Sequence, residues 1–184
     1  IFRTTLEENL RMIEDSVRYL KEQGRTVIYD AEHFFHGYKD DASYALETLA
    51  AAARGGASTL VLCDTNGGTL PMRVREIVRA ARERFPGVIL GIHTHNDCGV
   101  ATANSLEAVE EGVTHVQGTF NGLGERCGNA DLADIIPNLV LKLGKAISIS
   151  REKLVQLTHT ARYIGTIANR MFPENHAYVG QMAF

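Results

Sequence analysis

Residues 91–97 read GIHTHND, and they directly follow the apolar residues VIL at 88–90. The apolar run predicts a buried strand, and His93 and His95, which are two positions apart, then share one face of it. Two neutral imidazoles on one face can bind a single divalent metal ion. A strand that ends in such residues is typical of parallel α/β proteins, whose sites lie at the carboxyl ends of the strands.

The same alternation of strand and helix occurs four times, at a spacing of about 30 residues that suits a (β/α)8 barrel. Apolar and β-branched runs predict four strands, TVIYDAEHFF (26–35), TLVLCDTN (59–66), VILGIHTHN (88–96) and THVQGTFN (114–121). The runs are apolar on both faces, as expected of parallel strands. Four units are too few to close a barrel, so an open doubly wound sheet is the alternative that the pattern alone allows.

Helix signals fill the segments between these strands. An apolar stripe over 6–20, with Thr5 and Glu8 placed for a capping box, predicts a first helix that ends at Gly24. Asp41 and Pro71 predict the starts of two more helices. Further helices are predicted over 102–112, over 130–144 with a kink at Pro137, and as one long helix over 151–171, before a loop-like tail.

Composition excludes several classes of protein. The chain has 184 residues, 45% of them hydrophobic and 22% charged, with a formal net charge of −3. No basic run is present, so we expect no nucleic-acid partner. No apolar stretch reaches the roughly 20 residues that span a bilayer, so no membrane partner is expected either. Three scattered cysteines, Cys63, Cys98 and Cys127, do not form a disulfide framework, which favours a cytoplasmic location.

Other polar residues follow the predicted strands. Asp30 and Glu32 share one face of the first strand, with His33 on the other, and Asp64 and Thr65 end the second. Each pair is as typical of a solvated strand end or an Asx turn as of a site. A third metal ligand would usually be a carboxylate, and Asp97 is a candidate for that ligand or for a residue that orients an imidazole.

The glycine-rich segment GLGERCG at 122–128 resembles a dinucleotide loop only superficially. Its spacing is one residue too long, and no acidic residue follows on a second strand at the required distance. The glycines instead indicate that backbone comes close to another group there. Cys127, which follows Arg126, is the one cysteine worth testing for reactivity, and we expect it to be structural.

Three long segments together resemble the 2-isopropylmalate synthase and homocitrate synthase superfamily of metal-dependent barrel enzymes, also called DRE-TIM metallolyases. They are residues 30–71 (DAEHFFHGYK to GGTLP), HTHND with GVATANSLEAV, and GTFNGLGERCGNADL. Within this superfamily, EHFF, LCDTNGG and GERCGN are most similar to the (R)-citramalate synthase branch. The resemblance implies that residues 1–147 are the C-terminal half of a (β/α)8 catalytic barrel, strands five to eight. Residues 148–184 would begin a helical subdomain after the barrel.

The resemblance also implies roles for individual residues. His93, His95 and Asn129 would bind a divalent metal, Mg²⁺, Mn²⁺ or Zn²⁺, and Glu32 and Thr65 would line the pocket for a 2-oxo acid. The reaction implied is the condensation of acetyl-CoA with the 2-oxo acid, pyruvate before 2-oxoisovalerate, in branched-chain amino-acid biosynthesis by a homodimer. The family's acidic metal ligand and its catalytic histidine are expected outside these 184 residues. His36 stands where this branch is expected to have an aspartate.

Three alternatives remain at this point. The chain alone could be a catalytically incomplete half-barrel, whose strand edges need a partner such as a second copy. An acyl-CoA lyase of the same superfamily would share the metal site. A hydrolase of the amidohydrolase kind also uses a His-x-His pair, but it would carry that pair on its first strand.

Overall fold

The computed structural model describes residues 4–183. Its centre is a four-stranded parallel sheet in the order β1-β2-β3-β4, so that strands adjacent along the chain are neighbours in the sheet. The strands are β1 (Ile28–Ala31), β2 (Thr59–Asp64), β3 (Ile89–Thr94) and β4 (His115–Gln117). Parallel neighbours require a crossover after each strand, and helices supply every one of these crossovers.

Residues 4–183 contain seven α-helices, and local signals fix the starts of several of them. Thr5 caps the first helix, where its hydroxyl accepts a hydrogen bond from the Glu8 N–H at 3.1 Å, and Asp41 caps the third in the same way through Tyr44. Pro71 is the first residue of the fourth. The helices are α1 (Leu6–Glu22), α2 (Phe34–Asp40), α3 (Ala42–Gly55), α4 (Pro71–Arg84), α5 (Ala101–Glu110), α6 (Leu132–Pro137) and α7 (Leu157–Ile167).

The two faces of the sheet differ in chemistry. One set of alternating strand residues packs with the helices in the main core; these are Ala31, Leu60, Leu62, Leu90 and Ile92. The other set lies in register across the sheet, with Asp30 beside Val61, Val61 beside Gly91 and Gly91 beside His115. This second set lies outside that core and carries the polar groups. The sheet is therefore half of a barrel wall, with helices outside and a concave polar face inside.

The predicted partial (β/α)8 barrel is confirmed, and the chain forms an unclosed barrel of four βα units. The doubly wound alternative is wrong for this chain, because strand order follows chain order without the reversal that defines a doubly wound sheet. Within residues 4–183, none of the helices is both long enough and apolar enough to cross a bilayer.

Several predicted boundaries are wrong. The first strand ends at Ala31 rather than at residue 35, because the chain turns at His33, which has a φ of 58°, and Phe34 and Phe35 begin the buried face of α2. Glu32 and His33 therefore lie in a turn and not on opposite faces of a strand. The fourth strand stops at Gln117, after which residues 120–122 form a single 3-10 turn.

The C-terminal part also differs from its prediction. The long helix is divided into a 3-10 segment over Arg151–Gln156 and α7, and a π-helical turn follows Pro137. The tail is not a free loop, since Val179 is fully buried and packs with Ala133 and Ala161.

His176 ties this tail to the start of α6. Its Nε2 lies 2.9 Å from an oxygen of Asp131, and its Nδ1 lies 3.0 Å from the Ala177 carbonyl. Burial disfavours the charged imidazole, but the carbonyl and Asp131 outweigh burial and raise the pKa of His176. With Asp134 beside it, this group has the composition of a small metal site. Both imidazole nitrogens face acceptors, however, so the imidazolium itself is the cation between the carboxylates.

Gly55 sets the distance between α1 and α3. A Cβ at this position would lie 2.7 Å from the Glu14 carbonyl oxygen and 2.8 Å from the Val17 Cβ. We predict that Gly55→Ala lowers the free energy of unfolding by about 1–3 kcal/mol, as overpacking does. The measurement is urea denaturation. Gly37→Ala is the matched control, because a Cβ there meets no atom within 4 Å. Equal effects of the two substitutions would contradict this account of the helix contact.

Candidate metal and substrate site

His93 and His95 face each other at the carboxyl end of β3. Their Nε2 atoms are 3.4 Å apart and their ring centroids 5.2 Å apart. Two nitrogen ligands that each lie about 2.1 Å from one ion are separated by about this distance at a tetrahedral angle. The backbone prepares this geometry, because residues two apart on a strand point to the same side.

Gln117 fixes the orientation of His93. Its amide nitrogen donates to an oxygen of Asp30 at 3.0 Å, and its amide oxygen lies 2.9 Å from the His93 Nδ1. A carboxylate can only accept, so the amide orientation is determined and the His93 Nδ1 must carry the proton. The lone pair of the His93 Nε2 is then directed toward His95. This is the arrangement that outer-shell partners give to metal-binding histidines.

His95 is kept neutral by its surroundings. The residue is buried, with 8% of its surface exposed. Burial, followed by the neighbouring His93, lowers the pKa of His95. Its buried Nδ1 has no hydrogen-bond partner in the part of the chain that the structure describes. A neutral imidazole is the form that binds metal, so burial of His95 favours the form that a metal ligand must have.

Asn129 lies opposite His95 through an antiparallel bridge between the two backbones. Its amide nitrogen donates to the Leu123 carbonyl at 3.3 Å, while its side-chain oxygen is buried and lacks a partner among the described residues. Gly124 makes room for this amide, since a Cβ there would lie 2.0 Å from the Asn129 Nδ2. The close approach predicted for the glycine-rich loop is therefore made, and its partner is Asn129.

Glu32 and Thr65 follow β1 and β2 on the same rim. Glu32 is exposed and Thr65 half-buried. Cys63 lies in register with His93 on the neighbouring strand. Burial, followed by Asp30 and Glu32, raises the pKa of the Cys63 thiol, so both carboxylates lie near the concave face. The structure thus gathers all five predicted site residues at the carboxyl end of the sheet.

Asp97 does not fill the position predicted for it. Its two oxygens accept from Arg126 at 2.8 and 2.9 Å, and this guanidinium holds the pKa of Asp97 below its usual value. Arg126 also donates to the Thr65 carbonyl at 2.6 Å. Asp97 is thus committed to an ion pair that joins the loops after β2, β3 and β4, and it orients neither imidazole. Asp97 as a ligand or an orienting residue stays a prediction, which the ion pair with Arg126 does not favour.

The donors at this site fit a divalent ion. The pair of imidazole nitrogens is supplemented by the Asn129 oxygen, which is buried and free of other hydrogen bonds within residues 4–183. Nitrogen and oxygen donors of this kind suit Zn²⁺ and Mn²⁺, whereas Mg²⁺ prefers oxygen and water. His93, His95 and Asn129 as ligands stay a prediction that these distances support.

Comparison with known proteins identifies the family of this chain. The family model described as HMGL-like matches residues 1–165. The chain belongs to the HMGL-like family. It is 54% identical over 182 residues to an (R)-citramalate synthase of Aquifex aeolicus, covering 99% of this chain and 34% of that protein. It is 35% identical over 181 residues to a homocitrate synthase of Sulfolobus acidocaldarius, covering 98% and 37%.

A solved structure supports the fold of this HMGL-like chain. The HMG-CoA lyase of Bacillus subtilis superposes with a TM-score of 0.73 at 24% identity, over 90% of this chain and 57% of that one. The family model and the sequence relatives confirm the resemblance to citramalate and homocitrate synthases that the sequence motifs indicate. The chain spans about a third of the length of the curated relatives it matches.

Two contributors to the site were missed from sequence. Gln117 lies in the segment predicted as a strand, but a glutamine inside an apolar run gives no signal of its partner. Arg126 was noted only for its effect on Cys127, whereas its bonds run to Asp97 and Thr65. Both make contacts between residues distant in the chain, which only the parallel register brings together.

Gln117 offers a direct test of the orientation of His93. We predict that Gln117→Ala weakens binding of Zn²⁺ or Mn²⁺ by about 10–100-fold, the usual effect of losing an outer-shell partner. Isothermal titration measures the affinity. Gln156→Ala is the matched control, because this exposed glutamine lies in the 3-10 segment before α7. Equal affinities of the wild type and Gln117→Ala would show that the amide does not orient this ligand.

Gly124 offers a test of Asn129 that leaves Asn129 unchanged. Gly124→Ala should displace the Asn129 amide and weaken metal binding about tenfold, the lower end of the effect of outer-shell changes. Gly68→Ala is the control, since a Cβ at this neighbouring rim position meets no atom within 4 Å. A titration in which the two variants bind equally would count against Asn129 as a ligand.

Proposed function

We propose that this chain forms half of the catalytic barrel of an acyltransferase that condenses acetyl-CoA with a 2-oxo acid, with pyruvate as the preferred acceptor. The observation that carries the proposal is the facing pair of imidazoles of His93 and His95. Gln117 orients His93, and the backbone of Asn129 forms a bridge to that of His95. The similarity to proteins named (R)-citramalate synthase supports pyruvate as the acceptor.

Each site residue then has a task. His93 and His95 hold the divalent ion through Nε2, and Asn129 adds an oxygen donor. When bound, the ion would act as a Lewis acid toward the 2-oxo acid. The Thr65 hydroxyl binds the carboxylate of the 2-oxo acid, and Glu32 orders the same molecule from the neighbouring strand end. The base that removes a proton from acetyl-CoA is not assigned to any residue of this chain.

The wider setting belongs to the same proposal. The enzyme works in the cytoplasm as a homodimer, with acetyl-CoA as its co-substrate, in branched-chain amino-acid biosynthesis. The boundary after residue 147, between the barrel half and a helical subdomain, stays a prediction. Residues beyond it pack against α6 through Ala161 and Val179.

A second candidate is an association unit without catalysis of its own. Ile28 and Ile89, on the concave face, are 46% and 48% exposed, and β1 and β4 are the edges of the described sheet. Exposed edges and apolar side chains favour a partner that completes the wall. An acyl-CoA lyase of the same family would keep the metal site, and only a turnover assay separates the two reactions.

The first experiment is a titration of Mn²⁺ and Zn²⁺ into the purified chain and into the double variant His93→Ala/His95→Ala. We expect binding by the wild type and its loss in the double variant. His159→Ala is the control, because this exposed histidine lies on α7. Thiol release from acetyl-CoA with pyruvate then tests the condensation. Equal metal binding by wild type and double variant would refute the site, and thiol release by the wild type would exclude the association unit without catalysis.

A further inference from the structure

A hydrogen-bonded link joins the loops after β1 and β2 at the rim of the site. The His33 N–H donates to the Thr65 hydroxyl oxygen at 2.8 Å. This contact needs His33 in the left-handed region, with φ at 58° and ψ at 24°. That conformation costs a residue with a side chain roughly 1–2 kcal/mol, although histidine tolerates it better than most. Another interaction must therefore hold His33 in place.

The side chain of Asn66 supplies that interaction. Its Oδ1 lies 2.7 Å from the His33 Nδ1, and its Nδ2 lies 2.9 Å from the His36 Nδ1. An amide has one accepting and one donating end, so His33 carries its proton on Nδ1 and His36 on Nε2. The His36 Nε2 lies 3.6 Å from an oxygen of Asp40, which suits this assignment. With these tautomers, both ends of the Asn66 amide have a hydrogen-bond partner, one on His33 and one on His36.

The link determines what the Thr65 hydroxyl can do. Its oxygen already accepts from the His33 N–H, and its proton has no acceptor among the described residues. The backbone of Thr65 is held as well, since its carbonyl accepts from Arg126 at 2.6 Å. A hydroxyl whose oxygen accepts from the His33 N–H keeps its proton for another acceptor. A donor in a fixed direction is what an incoming carboxylate needs.

We propose that His33 and Asn66 form a clasp that positions the Thr65 hydroxyl as a donor to the carboxylate of the 2-oxo acid. His33 and Asn66 are positioning residues, since neither touches the substrate. The identity of that substrate rests on the proposed function. The geometry of the clasp does not, because it is made by residues of this chain alone.

The clasp itself is tested by NMR on the labelled chain without metal. Three-bond couplings to the Thr65 methyl carbon report whether its χ1 angle is fixed or averaged. We expect a fixed rotamer in the wild type and averaging in Asn66→Ala and His33→Gly; the glycine keeps the left-handed backbone without the clasp. Asn66→Asp keeps the acceptor for His33, and His36→Ala removes only the outer contact. Both controls should keep the rotamer fixed. A rotamer that is averaged in the wild type, or fixed in all variants, would overturn the clasp.

Its consequence is tested by titrating pyruvate into the Mn²⁺-loaded chain. Asn66→Ala should weaken pyruvate about tenfold, the lower range for a hydrogen bond to a charged group, with Mn²⁺ affinity unchanged. Asn66→Asp should retain wild-type affinity for pyruvate. Unchanged pyruvate affinity in Asn66→Ala would refute the positioning role. If the wild type binds neither metal nor pyruvate, the proposed function fails, and the couplings of Thr65 still decide whether the clasp exists.

Discussion

The parallel register of the four strands is the constraint on which every other feature of the site depends. It places Asp30, Val61, Gly91 and His115 side by side, so that the next inward residues, His93 and Gln117, are neighbours. A shift of one residue in any strand would turn its inward side chains toward the helices. Apolar residues on the opposite face, such as Leu60, Leu62 and Ile92, resist that shift because they are fully buried.

The concave face shows how a buried apolar wall can support polar chemistry. Asp30, Gln117 and His93 form one chain of hydrogen bonds that crosses from β1 to β4 and β3. Residues from β1, β3 and β4 thus share one polar network. Because each member has a defined donor or acceptor role, the network of protein groups fixes the tautomer of His93.

Local sequence patterns predict the fold well, but they do not predict the hydrogen-bond network at the site. The alternation of strands and helices, the caps at Thr5 and Asp41 and the start at Pro71 all follow from interactions within a few residues, and the sequence displays them. The His93–His95 pair belongs to the same class, because the two-residue period alone brings it together. Gln117, Arg126 and the helix α2 could not be predicted, since Gln117 and Arg126 act on residues 24 to 87 positions away and α2 depends on a left-handed turn at His33.

The loops after the strands combine two kinds of restraint. Arg126 binds Asp97 and Thr65, and so joins three loops through charge. Asn66 joins the first two loops through neutral amide and imidazole groups. Salt weakens contacts between exposed charges, whereas the orientation of neutral groups depends little on ionic strength. The Thr65 backbone is held by Arg126 of the ion pair, whereas the contact between Asn66 and His33 involves neutral groups, so the two restraints should respond differently to salt.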